Sequence, residues 1–218
     1  MSDQLAAVAD YWDTAADSFD EEPDHGLGEE RTRAAWARAL AGWLPPGPAE
    51  VLDAGCGTGS LSLLLAEAGH RVTGVDLAPR MVDRARRKLA AAGLPGRFLH
   101  GDAGAPPTGE DTFDVVLSRH LLWTLPDPEA ALRQWVSRLR PGGRLVLVEG
   151  RWRQASQRDT PYVAGADRLP WNGGIRAEEL AAAVRPLVAD LRIDPLAGDP
   201  DLWGGPVDDE RYALVARV

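Results

Sequence analysis

The sequence predicts an α/β protein built on a parallel sheet, and three observations carry that expectation. From about residue 49 to residue 150, short apolar runs alternate with segments of helical spacing, as strands alternate with crossover helices. The first run, Val51-Leu52-Asp53, passes directly into three alternate glycines, Gly55, Gly57 and Gly59, and then into a helical pattern. The chain has 218 residues, 44% hydrophobic and 26% charged, enough for one decorated globular domain with a sizeable core.

The elements follow in order. Leu5, Val8 and Trp12, then Trp36, Leu40 and Trp43, mark two helices with no strand between them, so residues 1–44 are expected to form a helical cap. Val51 to Asp53 is the first strand, and Leu61, Leu64, Leu65 and Ala68 share a helix face that Gly69 stops. Arg71 to Val75 is the second strand. Pro79 opens a helix whose Val82, Ala85 and Leu89 share a face before Gly93 and Pro95 end it. Phe98-Leu99 and Phe113 to Leu117 are strands three and four. A helix carrying Leu132, Trp135, Val136 and Leu139 follows Pro126-Asp127-Pro128, and Pro141-Gly142-Gly143 turns the chain into strand five, Leu145 to Val148. After an irregular stretch to Asn172 come a helix near Ala177 to Leu187 and two last strand candidates, Asp190 to Ile193 and Tyr212 to Val215, suited to an antiparallel edge. The expected organisation is one domain over 1–218: cap 1–44, core 49–150, insertion 151–175, and C-terminal helix and strand pair 176–218.

Composition narrows the functions. Lys+Arg 24 against Asp+Glu 33 gives a net charge of −9, a field that repels phosphate backbones and anionic membranes, so neither is an expected partner. No apolar run approaches the roughly 18 residues of a membrane span, and Met1-Ser2-Asp3-Gln4 has no basic leader, so a cytoplasmic protein is expected. Cys56 is the only cysteine, which excludes an internal disulfide and a cysteine-cluster zinc site. Lys88 is the only lysine among the cations and carries little functional signal.

The glycine segment is the informative one. Glycines let a backbone turn sharply and let a ligand approach where a Cβ would block it, and an open parallel sheet binds ligands beyond its strand ends. Asp76 ends strand two 76 − 53 = 23 residues after Asp53, about where a nucleotide site places a ribose-binding carboxylate. A dinucleotide fingerprint needs Gly or Ala at position 60, where Ser60 stands. Asp53, just before the turn, would repel a pyrophosphate and suits a cationic amine or sulfonium.

DAGCGTG (Asp53 to Gly59), GVDLAP (Gly74 to Pro79), GDA (Gly101 to Ala103), FDVVLSRHLLWTLPDP (Phe113 to Pro128) and LRPGGRLVLVEG (Leu139 to Gly150) together resemble a class I S-adenosylmethionine-dependent methyltransferase of the small-molecule type. The resemblance implies a Rossmann-like, seven-stranded, mostly parallel sheet that the two C-terminal strands complete. It places Asp53 and Gly55, with Cys56 beside them, around the methionyl amine, and makes Gly57 and Gly59 close-approach positions. Asp76 falls on the ribose hydroxyls, Asp102 on the adenine amino group, Leu77 against the adenine, Ala103 as its backbone donor, and Arg119 beside the methionyl end. Tyr11, Trp12 and Phe19 fall where cap aromatics cover the cofactor.

On the acceptor side, His120 follows strand four near the expected methyl group and is a candidate general base; the alternative is that it packs under the cap or only orients the acceptor. His25, between the cap helices, is the second candidate. Trp123, Trp171 and Trp203 fall in segments expected to rim the acceptor cavity with Trp12, which favours an aromatic or hydrophobic acceptor. Arg151, Arg153 and Arg158 could instead pair with an acidic acceptor or form a solvated loop. Ser118-Arg119-His120-Leu121 is not the Asn/Asp-Pro-Pro-Tyr of amino-directed nucleic-acid methyltransferases. Ser118 and Gly150-Arg151 stand where metal-dependent catechol-type enzymes carry carboxylates, so no metal is expected. The expected function is methylation of an oxygen or nitrogen of a small molecule in bacterial secondary metabolism. The alternatives are a noncatalytic S-adenosylmethionine-binding regulator and an aminopropyltransferase, the latter disfavoured by Trp123 and Trp171.

Overall fold

Seven strands form one sheet in a computed structural model that describes residues 3–152 and 163–218. They are β1 (Glu50–Ala54), β2 (Arg71–Asp76), β3 (Arg97–His100), β4 (Phe113–Arg119), β5 (Leu139–Arg151), β6 (Asp190–Pro195) and β7 (Glu210–Arg217), in the order β3-β2-β1-β4-β5-β7-β6. The first five pair in parallel, while β7 runs antiparallel between β5 and β6. This is the Rossmann-like arrangement expected. β5 starts earlier than the sequence suggests, since the Pro141-Gly142-Gly143 turn lies within it and Gly142 and Gly143 exchange backbone hydrogen bonds with Val218. The register with β4 shifts between Phe113 and Val115.

The helices are α1 (Asp3–Ala15), α2 (Pro23–Gly26), α3 (Glu30–Trp43), α4 (Ser60–Glu67), α5 (Pro79–Ala91), α6 (Pro128–Ser137) and α7 (Ala177–Val184). The two-residue period of a strand divides β1 between two cores. Val51 packs into the cluster holding Leu40, Leu64 and Leu89 of α3, α4 and α5, while Leu52 and Ala54 face Leu132 of α6 and Leu180 of α7. α7 ends at Val184 because Pro186 has no N–H for a further helical bond, and Arg185–Leu187 continues as a 3-10 turn.

The expected cap of two helices is half a cap. Trp36, Leu40 and Trp43 of α3 lie in the same buried cluster as Val51 and Val115, so α3 belongs to a layer against the sheet. The apolar spacing was right, but spacing alone does not say which surface a stripe faces. What stands over the strand ends is α1, the 3-10 turn Phe19–Glu21, and α2. Ala16 packs on Ala78 and Met81, and Asp13 accepts from the Arg80 N–H at 2.7 Å. Lys88 latches the cap: its Nζ lies 2.9 Å from Asp20 and donates to Ser60 Oγ at 2.7 Å. No described helix is long and apolar enough to cross a membrane.

Candidate active site

Strand order reverses between β1 and β4, and at that switch point a doubly wound sheet opens a crevice beyond its carboxyl ends. A cavity of about 520 Å³ lies there, walled by the ends of β1, β2 and β4 and covered by α1 and the Phe19–Gly26 segment. Its volume is in the range of sites that enclose a small molecule.

One end is acidic. The Gly55 and Cys56 N–H groups both donate to the Val75 carbonyl, at 2.8 and 3.0 Å, which folds the glycine loop back on β2. Gly55 and Gly57 have positive φ, 77° and 52°, as the turn requires. Asp53 is buried behind the loop and accepts a 2.6 Å bond from Ser62 Oγ. Burial pushes its pKa up to about 6, against the Ser62 bond and the charge of Arg119. Asp76 accepts from the Gly57 N–H at 2.8 Å and the Ala78 N–H at 2.9 Å, and burial raises its pKa as well. A carboxylate has about four lone-pair sites, so both acids keep capacity for a ligand. Asp102 accepts from the Gly104 N–H at 2.8 Å, and Leu77 and Ala103 complete this wall.

The other end is aromatic. Trp12 and Trp123 meet edge to face at 6.3 Å between centroids, as do Trp123 and Trp152 at 6.1 Å. His120 sits between the ends in a left-handed conformation, φ 55°, which strains a non-glycine residue. Three contacts impose it: the His120 N–H donates to Val148, its carbonyl accepts from Trp123 Nε1, and its ring stacks on Trp203 at 5.9 Å. Its buried Nε2 has no partner among the described residues. Burial, reinforced by the charges of Arg119 and Arg211, holds the imidazole well below its usual pKa. His25 stacks on Phe19 at 4.3 Å, and burial lowers its pKa too. Asp24, His25 and His120 bring one donor atom each within 4.8 Å of one another.

Of the residues expected from sequence, Asp53, Gly55, Cys56, Gly57, Asp76, Leu77, Asp102, Ala103, Arg119, His120, His25, Phe19, Trp12 and Trp123 all line this cavity. Three do not. A Cβ on Gly59 would stand 2.8 Å from the Ala85 Cβ, so its close approach is to helix α5 and not to a ligand. Tyr11 is 41% exposed on the outer side of α1. Trp171 packs against the core on the α7 face. Trp203 is likewise a core residue, buried under His120 with its Nε1 donating to Leu196 at 3.0 Å. Arg119 does more than flank a ligand: its guanidinium donates to the Asp24 carbonyl at 2.5 Å and stacks 4.9 Å from the Trp36 centroid, tying α2 to β4. Arg151 donates to the Gly174 carbonyl, and Arg153 and Arg158 lie outside the described residues.

Sequence reasoning missed Trp152, Arg211 and Glu149. Trp152 stands just past β5, where parallel strands end over a site. β7 runs the other way, so Arg211, near its start, reaches the same edge opposite Gly150. Glu149 is fully buried in β5 and accepts from the N–H groups of Leu121 and Leu122 at 3.1 and 3.0 Å, fixing the loop that carries His120. Burial lifts its pKa to about 8.

An acidic pocket at the switch point of such a sheet is where a nucleoside-bearing ligand is expected to bind. Residues 51–143 match the family model described as a methyltransferase domain. The ubiquinone biosynthesis O-methyltransferase of Xanthomonas campestris pv. campestris (strain B100) is 36% identical over 90% of this chain and 82% of its own length. The demethylmenaquinone methyltransferase of Thermus thermophilus is 43% identical over 51% of this chain and 52% of its own. The chain thus spans little more than half the length of the curated relatives it matches at the higher identities. The magnesium protoporphyrin IX methyltransferase of Synechocystis PCC 6803, solved with bound S-adenosylhomocysteine, shares the fold, with a TM-score of 0.71 at 22% identity over 99% of both chains. The chain belongs to the class I S-adenosylmethionine-dependent methyltransferase family.

Proposed function

We propose that this chain transfers the methyl group of S-adenosylmethionine to an oxygen or nitrogen of a small acceptor carrying a planar ring. The observation that carries the reading is a single cavity with an acidic end, an aromatic end and an unpartnered imidazole nitrogen between them. When bound, the cofactor supplies an electrophilic methyl carbon on a sulfonium. The chain's residues hold and shield the reactants. Asp53 sets negative charge beside the cofactor's ammonium, Asp76 accepts from vicinal hydroxyls, and Asp102 accepts from an exocyclic amine. Trp12, Trp123 and Trp152 enclose a flat ring and exclude water. His120 Nε2, unprotonated at neutral pH, takes the proton that a hydroxyl must lose as it attacks. His25 stands beside it as the second acceptor for that proton.

One relative's name, ubiquinone biosynthesis O-methyltransferase, supports oxygen as the acceptor atom, while the demethylmenaquinone methyltransferase supports a quinone-type ring without naming the atom. The secondary-metabolic setting rests on the sequence reading alone. Asp24, His25 and His120 could also gather around a cation, but the Arg119 guanidinium, held on the Asp24 carbonyl, sets a fixed positive charge against one. A chelator is therefore expected to leave turnover within about twofold, whereas loss that a divalent ion restores would assign the cluster to a metal. Titration calorimetry with S-adenosylmethionine, followed by incubation with labelled donor and a panel of hydroxylated aromatics, tests the reading. Binding with a methylated product sustains it, and a protein that does not bind the donor overturns it.

A further inference from the structure

Arg211 is the one cation on the aromatic side of the cavity that no cap contact consumes among the described residues. Its Nε and Nη2 donate to the two oxygens of Asp209 at 2.6 and 3.0 Å. The guanidinium plane lies 4.6 Å from the Trp203 centroid and 5.6 Å from that of Trp152. Pinned on Asp209 through Nε and Nη2 and held by two indoles, the guanidinium lines the cavity with Nη1 outside the Asp209 pair. Its side chain is only 16% exposed. A planar fork fixed in this way is suited to a carboxylate, and apolar walls strengthen the attraction. Asp209 fixes the direction of the fork through Nε and Nη2 and leaves Nη1 outside that pair.

Resting on the transferase reading above, we propose that the acceptor is a hydroxylated aromatic carboxylate, with Arg211 as the residue that binds its acid group. The ring then lies among Trp12, Trp123 and Trp152, with its hydroxyl toward His120. His120 and Arg211 both pack on the Trp203 ring, 5.9 and 4.6 Å from its centroid, so the two groups are close enough to serve opposite ends of one small ring. The acid group takes no covalent part: as the hydroxyl oxygen bonds to the methyl carbon, the carbon–sulfur bond of the sulfonium breaks with its electron pair left on the thioether sulfur, and the hydroxyl proton passes to His120.

The test compares hydroxybenzoates with their methyl esters on the wild-type protein saturated with S-adenosylhomocysteine, reading tryptophan fluorescence. Acids are expected to bind at least about tenfold more tightly than the matched esters; equal binding overturns the proposal, whether or not any methyl transfer occurs. Failure of the transferase reading is read separately, as absence of labelled product from acids that bind. Arg211→Met, checked for an unchanged melting temperature, is expected to collapse the preference for acid over ester, and Arg211→Lys to restore part of it. A preference that survives in Arg211→Met would move the acid group elsewhere and overturn the assignment. Should Arg211→Met not fold, the wild-type comparison of acid and ester still decides.

Discussion

The two ends of the cavity are built in different ways. The donor end is assembled almost entirely from residues 53–103, in the turns that follow β1, β2 and β3, and its acids sit where strand geometry puts them. The acceptor end draws on α1, the turn before α2, the loop after β4, the residue past β5 and the start of β7, segments from every part of the chain. On the proposed reading, the cofactor would meet a local, repeatable frame, while the acceptor would meet a surface that tertiary packing must bring together. Substitutions at the two ends should therefore separate cleanly in what they change.

The largest effect is expected at the acceptor end. His120→Ala should lower kcat by about a hundredfold to ten-thousandfold while leaving donor affinity unchanged, if proton removal limits turnover. Because the imidazole is held well below its usual pKa, the wild-type rate should stay flat through neutral pH and fall only in acid, as the base becomes protonated. A variant with full kcat would reduce His120 to a packing residue and leave alignment alone to explain the rate.

At the donor end, Asp76→Ala should weaken S-adenosylmethionine by about 2–4 kcal/mol, roughly thirtyfold to nearly a thousandfold in Kd, with no change in the acceptor's KM. Calorimetry reads it directly. Retained affinity would show that the Gly57 and Ala78 N–H groups, which Asp76 also holds, are its whole purpose.

Asp53 gives a finer test through pH. Its pKa stands at about 6 without a ligand because burial outweighs the Ser62 hydrogen bond and the charge of Arg119. A bound ammonium lowers that pKa, so the ionised form binds the donor more tightly. Affinity should then fall as pH drops through about 6, by up to about tenfold per pH unit, with protons released on binding near that pH. A pH-independent Kd between about 5 and 7 would place the ammonium away from Asp53.

How much of this was legible follows the same division. β1 to β5 and the donor acids could be read because each glycine or aspartate lies within a few residues of the strand that positions it. α3 could be recognised as a helix but not placed, since Trp36, Leu40 and Trp43 look alike under a cap and against a sheet. Gly59 fitted a ligand loop by position, yet its missing Cβ makes room for Ala85, a contact 26 residues away that no local pattern reports. Trp171 and Trp203 were aromatic residues in irregular segments, and only packing separates a cavity wall from a core. Arg211 was within reach of a topological argument, because an antiparallel strand begins at the edge where its parallel neighbours end.

The smallest effect expected is that of Glu149→Gln, where the acceptor end rests on the sheet. The folded pKa of Glu149, about 8, lies above that of an exposed glutamate, so the folded state holds the proton more tightly than the unfolded chain does. The stabilisation is fully present below the unfolded pKa and is lost as pH rises toward about 8, where the buried group becomes charged. Glu149→Gln keeps an oxygen for the Leu121 and Leu122 N–H groups and cannot ionise. It should melt above wild type at pH about 8 and lose that advantage near pH 5, a difference of a few degrees for a domain of this size. Glu149→Ala removes the acceptor and leaves the buried Leu122 N–H and the half-buried Leu121 N–H unpaired, which costs about 1–3 kcal/mol for the buried one and less for the other. Because those N–H groups belong to the loop that carries His120, the alanine variant should lose kcat as well as stability, and the glutamine variant should keep both. Equal melting curves for wild type and Glu149→Gln across that range would mean that the carboxyl finds a partner for its second oxygen.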